Sequence, residues 1–209
     1  MGGVTAAASV VTGSSDGSVR TWDVRTTECV AVFKPPQAAA TSDVPVLAVV
    51  PFPASKLGSG GGGAAAALGG GAAGGARHVY LVLSRGSTAH VCSPTGAVLR
   101  SFASAGGGAG AALLDSSAQP LAPCSFVAGV VTPQAGRWAY LLGDDGSLRC
   151  FALAAPPPAG GGGACAPAAV LPLAGGAKGP LGVSAHPLRN LVAAYGADGA
   201  VRLWKAAAA

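Results

Sequence analysis

The pentapeptide Gly13-Ser14-Ser15-Asp16-Gly17 has the G-x-S-x-G spacing that, at a sharp strand-to-helix turn, presents a nucleophilic serine. Here the residues after Gly17 read SVRTW, whose β-branched alternation predicts a strand where a nucleophile elbow requires a helix. Ser15 is therefore read as a hairpin residue. Gly69-Gly70-Gly71-Ala72-Ala73-Gly74 satisfies G-x-G-x-x-G, but it precedes the strand-like HVYLVL instead of following a strand and opening a helix. Lys178, in GGAKGP, lacks the Ser or Thr and the spacing of a phosphate loop. His78, His90 and His186 form no ligand set, and Cys29, Cys92, Cys124, Cys150 and Cys165 contain no C-x-x-C pair, which suits buried thiols in a reducing compartment. Asp144-Asp145 could suggest a metal, yet one of the two is the turn residue of a repeat, and both are read as solvated turn carboxylates. No catalytic, metal-binding or cofactor-binding residue is assigned, and no enzyme activity is expected.

The elements that must position any site are short. Of 209 residues, 34 are Gly and 16 Pro, and much of the apolar remainder is Ala, so the core is smaller than the length implies. No run of about 18 bulky apolar residues exists, so the chain is read as soluble with no membrane partner. No basic residue precedes Arg20, which removes the charged region of a secretory signal, and Ala6 breaks the myristoylation pattern. The net charge of +5 comes from residues scattered singly, so no direct nucleic-acid binding is expected. Segments 53–76, 103–112 and 154–169 are Gly/Ala/Pro-rich and read as linkers unable to bury enough surface to order themselves. Between them, stretches such as ECVAVF, VPVLAVV, HVYLVL, RWAYLL, SLRCFAL and AVRLW alternate bulky and polar residues over the length of a strand. The fold class is all-β.

Four of these strands follow one another in a repeated unit: SSDGSVRTWD, LSRGSTAHVC, GDDGSLRCFA and GADGAVRLWK. Its glycine recurs as Gly17, Gly86, Gly146 and Gly199, preceded by Asp16, Asp145 and Asp198 in three of the four. Five residues after the glycine comes a large apolar residue, Trp22, Val91, Phe151 or Trp204, with Asp23 following the first. Asp-Gly favours a two-residue hairpin, because both positions tolerate positive φ. The position of Ser15 in the unit is taken by Ser84, Asp144 and Ala197, so a serine is kept there only once, which a nucleophile required in each unit would not allow. The glycines lie 69, 60 and 53 residues apart, and subtracting the linkers leaves roughly 40–50 residues per unit, the period of a propeller blade.

With DGSVRTWD and DGAVRLWK closing their units, the sequence resembles the WD-repeat β-propeller family. The Gly-His that usually starts such a repeat is absent, so the four-residue polar network of typical members is incomplete. Within that family, SSDGSVRTWDVRTTECVAVFK, GAVLRSFAS, GRWAYLLGDDGSLRCFAL and AHPLRNLVAAYGADGAVRLWK look like the C-terminal half of the suppressor-of-mec-and-unc homologues, spliceosome-associated WD-repeat proteins, VRTTEC being the most specific piece. That resemblance implies a nuclear scaffold of the precatalytic spliceosome working with the RED protein, and a seven-bladed ring preceded by a LisH-type helical segment that this sequence does not contain. Blade segments are placed at about 1–34, 43–103, 121–154 and 170–205, or about three and a half blades, which cannot close a ring alone. The chain is then the second part of a longer protein or a half that pairs with something.

The function expected is a non-catalytic protein-interaction scaffold in pre-mRNA splicing; generic repeats would equally allow an adaptor outside splicing, such as a ubiquitin-ligase substrate receptor or a trafficking coat component. Arg20, Arg149 and Arg202 share one register of the unit. Either their stems lie along neighbouring blades, or they form a surface for an acidic partner. Because loop closure costs only about 0.6 kcal/mol per doubling of length, deleting residues 58–76 is expected to leave the melting temperature unchanged. A large drop on thermal denaturation would show that this segment is part of the folded core.

Overall fold

The structure is a computed structural model and describes residues 9–36, 43–57, 78–105, 122–133, 138–155, 163–173 and 179–205. Gly69–Gly74, Lys178 and most of the three low-complexity segments lie outside these residues. Among the described residues there are fourteen strands and a single 3₁₀ turn, Ala54–Leu57. The strands form four antiparallel sheets in chain order. Blade 1 contains β1 (Ser9–Gly13), β2 (Val19–Asp23) and β3 (Glu28–Phe33), and blade 2 contains β4 (Val46–Pro53), β5 (His78–Ser84), β6 (Thr88–Cys92) and β7 (Val98–Ala103). Blade 3 follows with β8 (Phe126–Val131), β9 (Trp138–Gly143), β10 (Ser147–Ala152) and β11 (Ala169–Pro172), and blade 4 with β12 (Pro180–Ala185), β13 (Leu191–Gly196) and β14 (Val201–Lys205).

Two boundaries differ from the sequence reading: the end of blade 3, placed at 154, and the start of blade 4, placed at 170 and found at Pro180. The strand β11 closes blade 3, beside β10, so blade 3 runs past 154 and across the third low-complexity segment. Its AVLP is too short, and too close to Gly/Ala sequence, to show alternation. The low-complexity segments also contribute more than spacing. Leu57 is buried in the core, and Cys165 bridges Phe102 at the outer edge of blade 2, donating to Ser101 O and accepting from Ala103 N.

In each blade two successive strands form the hairpin that carries the repeated turn, β1–β2, β5–β6, β9–β10 and β13–β14, and the pairing defines its apex. Gly13 pairs with Val19, Leu83 with Ala89, Leu142 with Leu148 and Tyr195 with Val201, so the apex residues are Asp16, Gly86, Asp145 and Asp198. Side chains alternate across a strand, so distance from the apex decides which neighbour a residue faces. Residues an even number of positions from the apex face the preceding blade; odd positions face the following one. This places Tyr80, Val82 and Cys92 of blade 2 against Val11, Val19 and Phe33 of blade 1. Leu81, Leu83, Val91 and Phe102 of blade 2 meet Ala139, Leu141 and Phe151 of blade 3. On its other face, blade 3 sets Leu142 and Leu148 against Val192, Ala194 and Trp204 of blade 4.

The junction between blades 2 and 3 is the largest. Phe151 packs against Phe102 at a tilt of 45°, with ring centroids 4.9 Å apart, and meets Phe126 edge-on at 6.1 Å. All three rings are fully buried. Phe151→Ala is expected to cost about 3–5 kcal/mol, from lost burial plus the cavity left behind. Chemical denaturation should show the midpoint falling accordingly; a loss below about 1 kcal/mol would mean the blades re-pack around the gap.

Candidate functional site

The repeated hairpin turns carry the charged residues picked out by the sequence. In blade 3, Asp145 at the apex accepts from Ser147 N at 3.1 Å and from the Ser147 hydroxyl at 2.8 Å, and its other oxygen accepts from Arg149 Nη2 at 2.8 Å. The guanidinium reaches on into the loop that leaves blade 2: Arg149 Nε donates to Ser104 O at 2.6 Å and Nη2 to Ala122 O at 3.2 Å. Nη1 also donates to the Ser147 hydroxyl. The Arg149 side chain is 0% exposed. Blade 1 builds the same turn with Asp16, Ser18 and Arg20, the Asp16–Arg20 pair closing at 2.8 Å. Blade 4 builds it with Asp198 and Arg202 at 2.7 Å, Ala200 supplying only its amide. The motif is D-G-[S/A]-x-R: an Asp to cap the turn, a Gly with φ of 73–78° after it (Gly17, Gly146, Gly199), and an Arg four residues from the Asp to neutralise it.

Of the two readings of the arginine register, the structure excludes a partner surface at Arg149, whose guanidinium is buried and fully engaged between blades. Arg20 and Arg202, with side chains 32% and 20% exposed, also point their charge at their own turn. The spacing of Asp, Ser and Arg in the repeat was the signal for this network. Trp22 donates to Thr12 Oγ1 on β1 at 3.0 Å, and Asp23 caps the next turn by accepting from Arg25 N at 2.8 Å. A further arginine, Arg100 on β7, has no signal in the repeat: buried, it donates to Leu57 O at 3.0 Å and to Ala155 O, tying blade 2 to blade 3.

The second unit departs from the alignment. Gly86 sits at the apex itself, in the place of the aspartates, with φ of 155° instead of the 73–78° of the other turn glycines. The residue in the Trp register is consequently Cys92, not Val91, which faces blade 3. The residue in the Arg register is His90. Its Nδ1 pairs with the Ser101 hydroxyl at 2.9 Å, and burial holds its pKa below the usual value against the opposing hydrogen bond to Pro36. Both halves of the Asp–Arg pair are therefore missing together. A cleft of about 200 Å³ opens between blades 1 and 2 at this point, lined by Pro36, Val44, Ser84, Arg85, Gly86, Ser87, Thr88 and His90.

The residues with apparent catalytic spacing are not brought together. Ser15 is an exposed turn residue followed by β2. Asp144 accepts from Ser125 N, whereas Asp145 pairs with Arg149. His78, His90 and His186 lie on different strands or loops, and among the described residues no group of His, Cys, Asp and Glu could hold a metal ion. The cysteines are not uniformly buried: Cys29 is exposed, while burial pushes the thiol of Cys92 up to about 12 and those of Cys124 and Cys150 up to about 11.

No family model matches the sequence. Among solved structures, the chain is similar to the structure of U3-55K, with a TM-score of 0.57 and 18% identity over 95% of this chain and 46% of that one. It is also similar to the β-propeller domain of Myceliophteria thermophila Cps50 (Swd1), with a TM-score of 0.55 and 13% identity over 94% of this chain and 47% of that one. The fold is that of a WD-repeat β-propeller. The chain spans a little under half the length of the two structures it matches.

The network gives a graded expectation for the three pairs. Asp145→Ala strands a buried guanidinium and is expected to cost about 3 kcal/mol, whereas Asp16→Ala and Asp198→Ala should leave the melting temperature near that of the parent. Burial raises the Asp145 pKa, but the hydrogen bonds from Arg149 and Ser147 outweigh it and hold the carboxyl below its ordinary value. Its stabilisation is thus present above the unfolded pKa of about 3.9 and lost as pH falls through the lower folded value. Melting curves from pH 7 down to pH 2 should show a flatter acid dependence for Asp145→Ala; an acid limb as steep as the parent's would mean that other carboxylates dominate it.

Proposed function

We propose that the chain is a non-catalytic protein-interaction scaffold acting in the nucleus, in pre-mRNA splicing, as a spliceosome-associated WD-repeat protein with the RED protein among its partners. One observation carries the scaffold reading: four antiparallel sheets packed face to face form a rigid frame that presents its hairpin turns outward. Turns and loops held by a rigid scaffold are where binding residues concentrate. The splicing setting rests on the likeness of the unit sequences, VRTTEC above all, to the splicing-associated WD-repeat proteins.

Tagged chain recovered from nuclear extract is expected to bring down spliceosomal RNAs and the RED protein. Recovery of ubiquitin-ligase or coat subunits without spliceosomal RNAs would assign the chain to an adaptor role outside splicing.

A further inference from the structure

The cleft between blades 1 and 2 is the space that an ion pair fills one blade further on. In blade 3, a Cβ placed on Gly143 would come within 2.5 Å of Asp145 Oδ1 and 2.6 Å of Arg149 Nη1, whereas blade 1 has Ser14 there, its hydroxyl accepting from Asp16 N at 3.4 Å. The equivalent position in blade 2, two residues before the apex, is Ser84. With Gly86 and His90 in place of Asp and Arg, no such ion pair stands beside Ser84 among the described residues. Ser84 is only 7% exposed, lines the cleft, and its hydroxyl has no hydrogen-bond partner among the described residues. A buried hydroxyl without a partner costs about 1–3 kcal/mol, which a ligand entering the cleft would recover.

The charges around the cleft select the ligand. Arg85, exposed at the rim, has no counter-ion among the described residues. The acid on the facing segment, Asp43, is taken by Lys34 at 2.7 Å. His90 is engaged with Ser101 and Pro36, so it adds no free charge. What remains is one cation, three hydroxyls (Ser84, Ser87, Thr88) and no carboxylate, in a cleft the size of one side chain. The chain's net charge of +5 favours approach of an acidic partner.

We propose that this cleft receives the carboxylate of a single Glu or Asp side chain from an acidic segment of a partner protein, which pairs with Arg85, hydrogen-bonds Ser84 and takes the place of the turn aspartate that blade 2 lacks. The inference rests on the interaction-scaffold reading for the existence of a partner and names the chemistry by which that partner is held.

The probe is N-acetyl-glutamate N-methylamide, titrated into the isotopically labelled full chain and followed by amide chemical shifts, with the glutamine analogue as control. Saturable shifts confined to residues 84–90 and the facing residues 34–36 and 43–45 are expected with glutamate, and none with glutamine. Arg85→Glu, at an exposed position, should weaken binding at least tenfold with an unchanged melting temperature. Equal shifts with both analogues, shifts scattered over the surface, no saturation, or undiminished binding by Arg85→Glu would each overturn the assignment. Co-purified spliceosomal RNA is a separate readout, so the splicing role and the carboxylate site can fail independently.

Discussion

Side chains alternate across a strand, and every blade here is organised by that constraint acting outward from one residue, the apex of its central hairpin. Moving the apex by one position exchanges the two faces of both flanking strands. Blade 2 shows the rule by obeying it with a different residue. Its Gly86 aligns in sequence with Gly17 but stands in space where Asp16 stands, and Val82 and Leu83 point where the packing of blades 1 and 3 requires them. Apolar burial between blades outweighs the turn chemistry that the other units share, and the turn has adapted to it.

Strand existence and order were legible because period-two alternation is a strong local signal, as in HVYLVL and SLRCFAL. Three features escaped for physical reasons. The strand β11 is held by its neighbour β10 and not by its own pattern. The true register of LSRGSTAHVC is set by contacts with blades distant in sequence, and a glycine match outweighed them in a linear alignment. Leu57 and Cys165 are ordered inside segments of linker composition because single side chains there reach the core or a sheet edge.

The site was half legible. The repetition of Arg20, Arg149 and Arg202 was visible, but a sequence does not show which way a guanidinium points. Pairing each with the Asp four residues earlier gives an inward network that tightens one turn and, at Arg149, also satisfies carbonyls of the preceding blade. The cleft at blade 2 is defined by what its sequence lacks, Asp at the apex and Arg four residues on. Such an absence becomes readable only once the apex is known.

Among the described residues the principal contacts between blades are between chain neighbours, which makes the blades a short one-dimensional array. Its junctions are unequal: the one between blades 2 and 3 holds three tilted or edge-on rings and two buried arginines, whereas those on either side rest mainly on aliphatic contact. Cooperativity is therefore centred, not uniform.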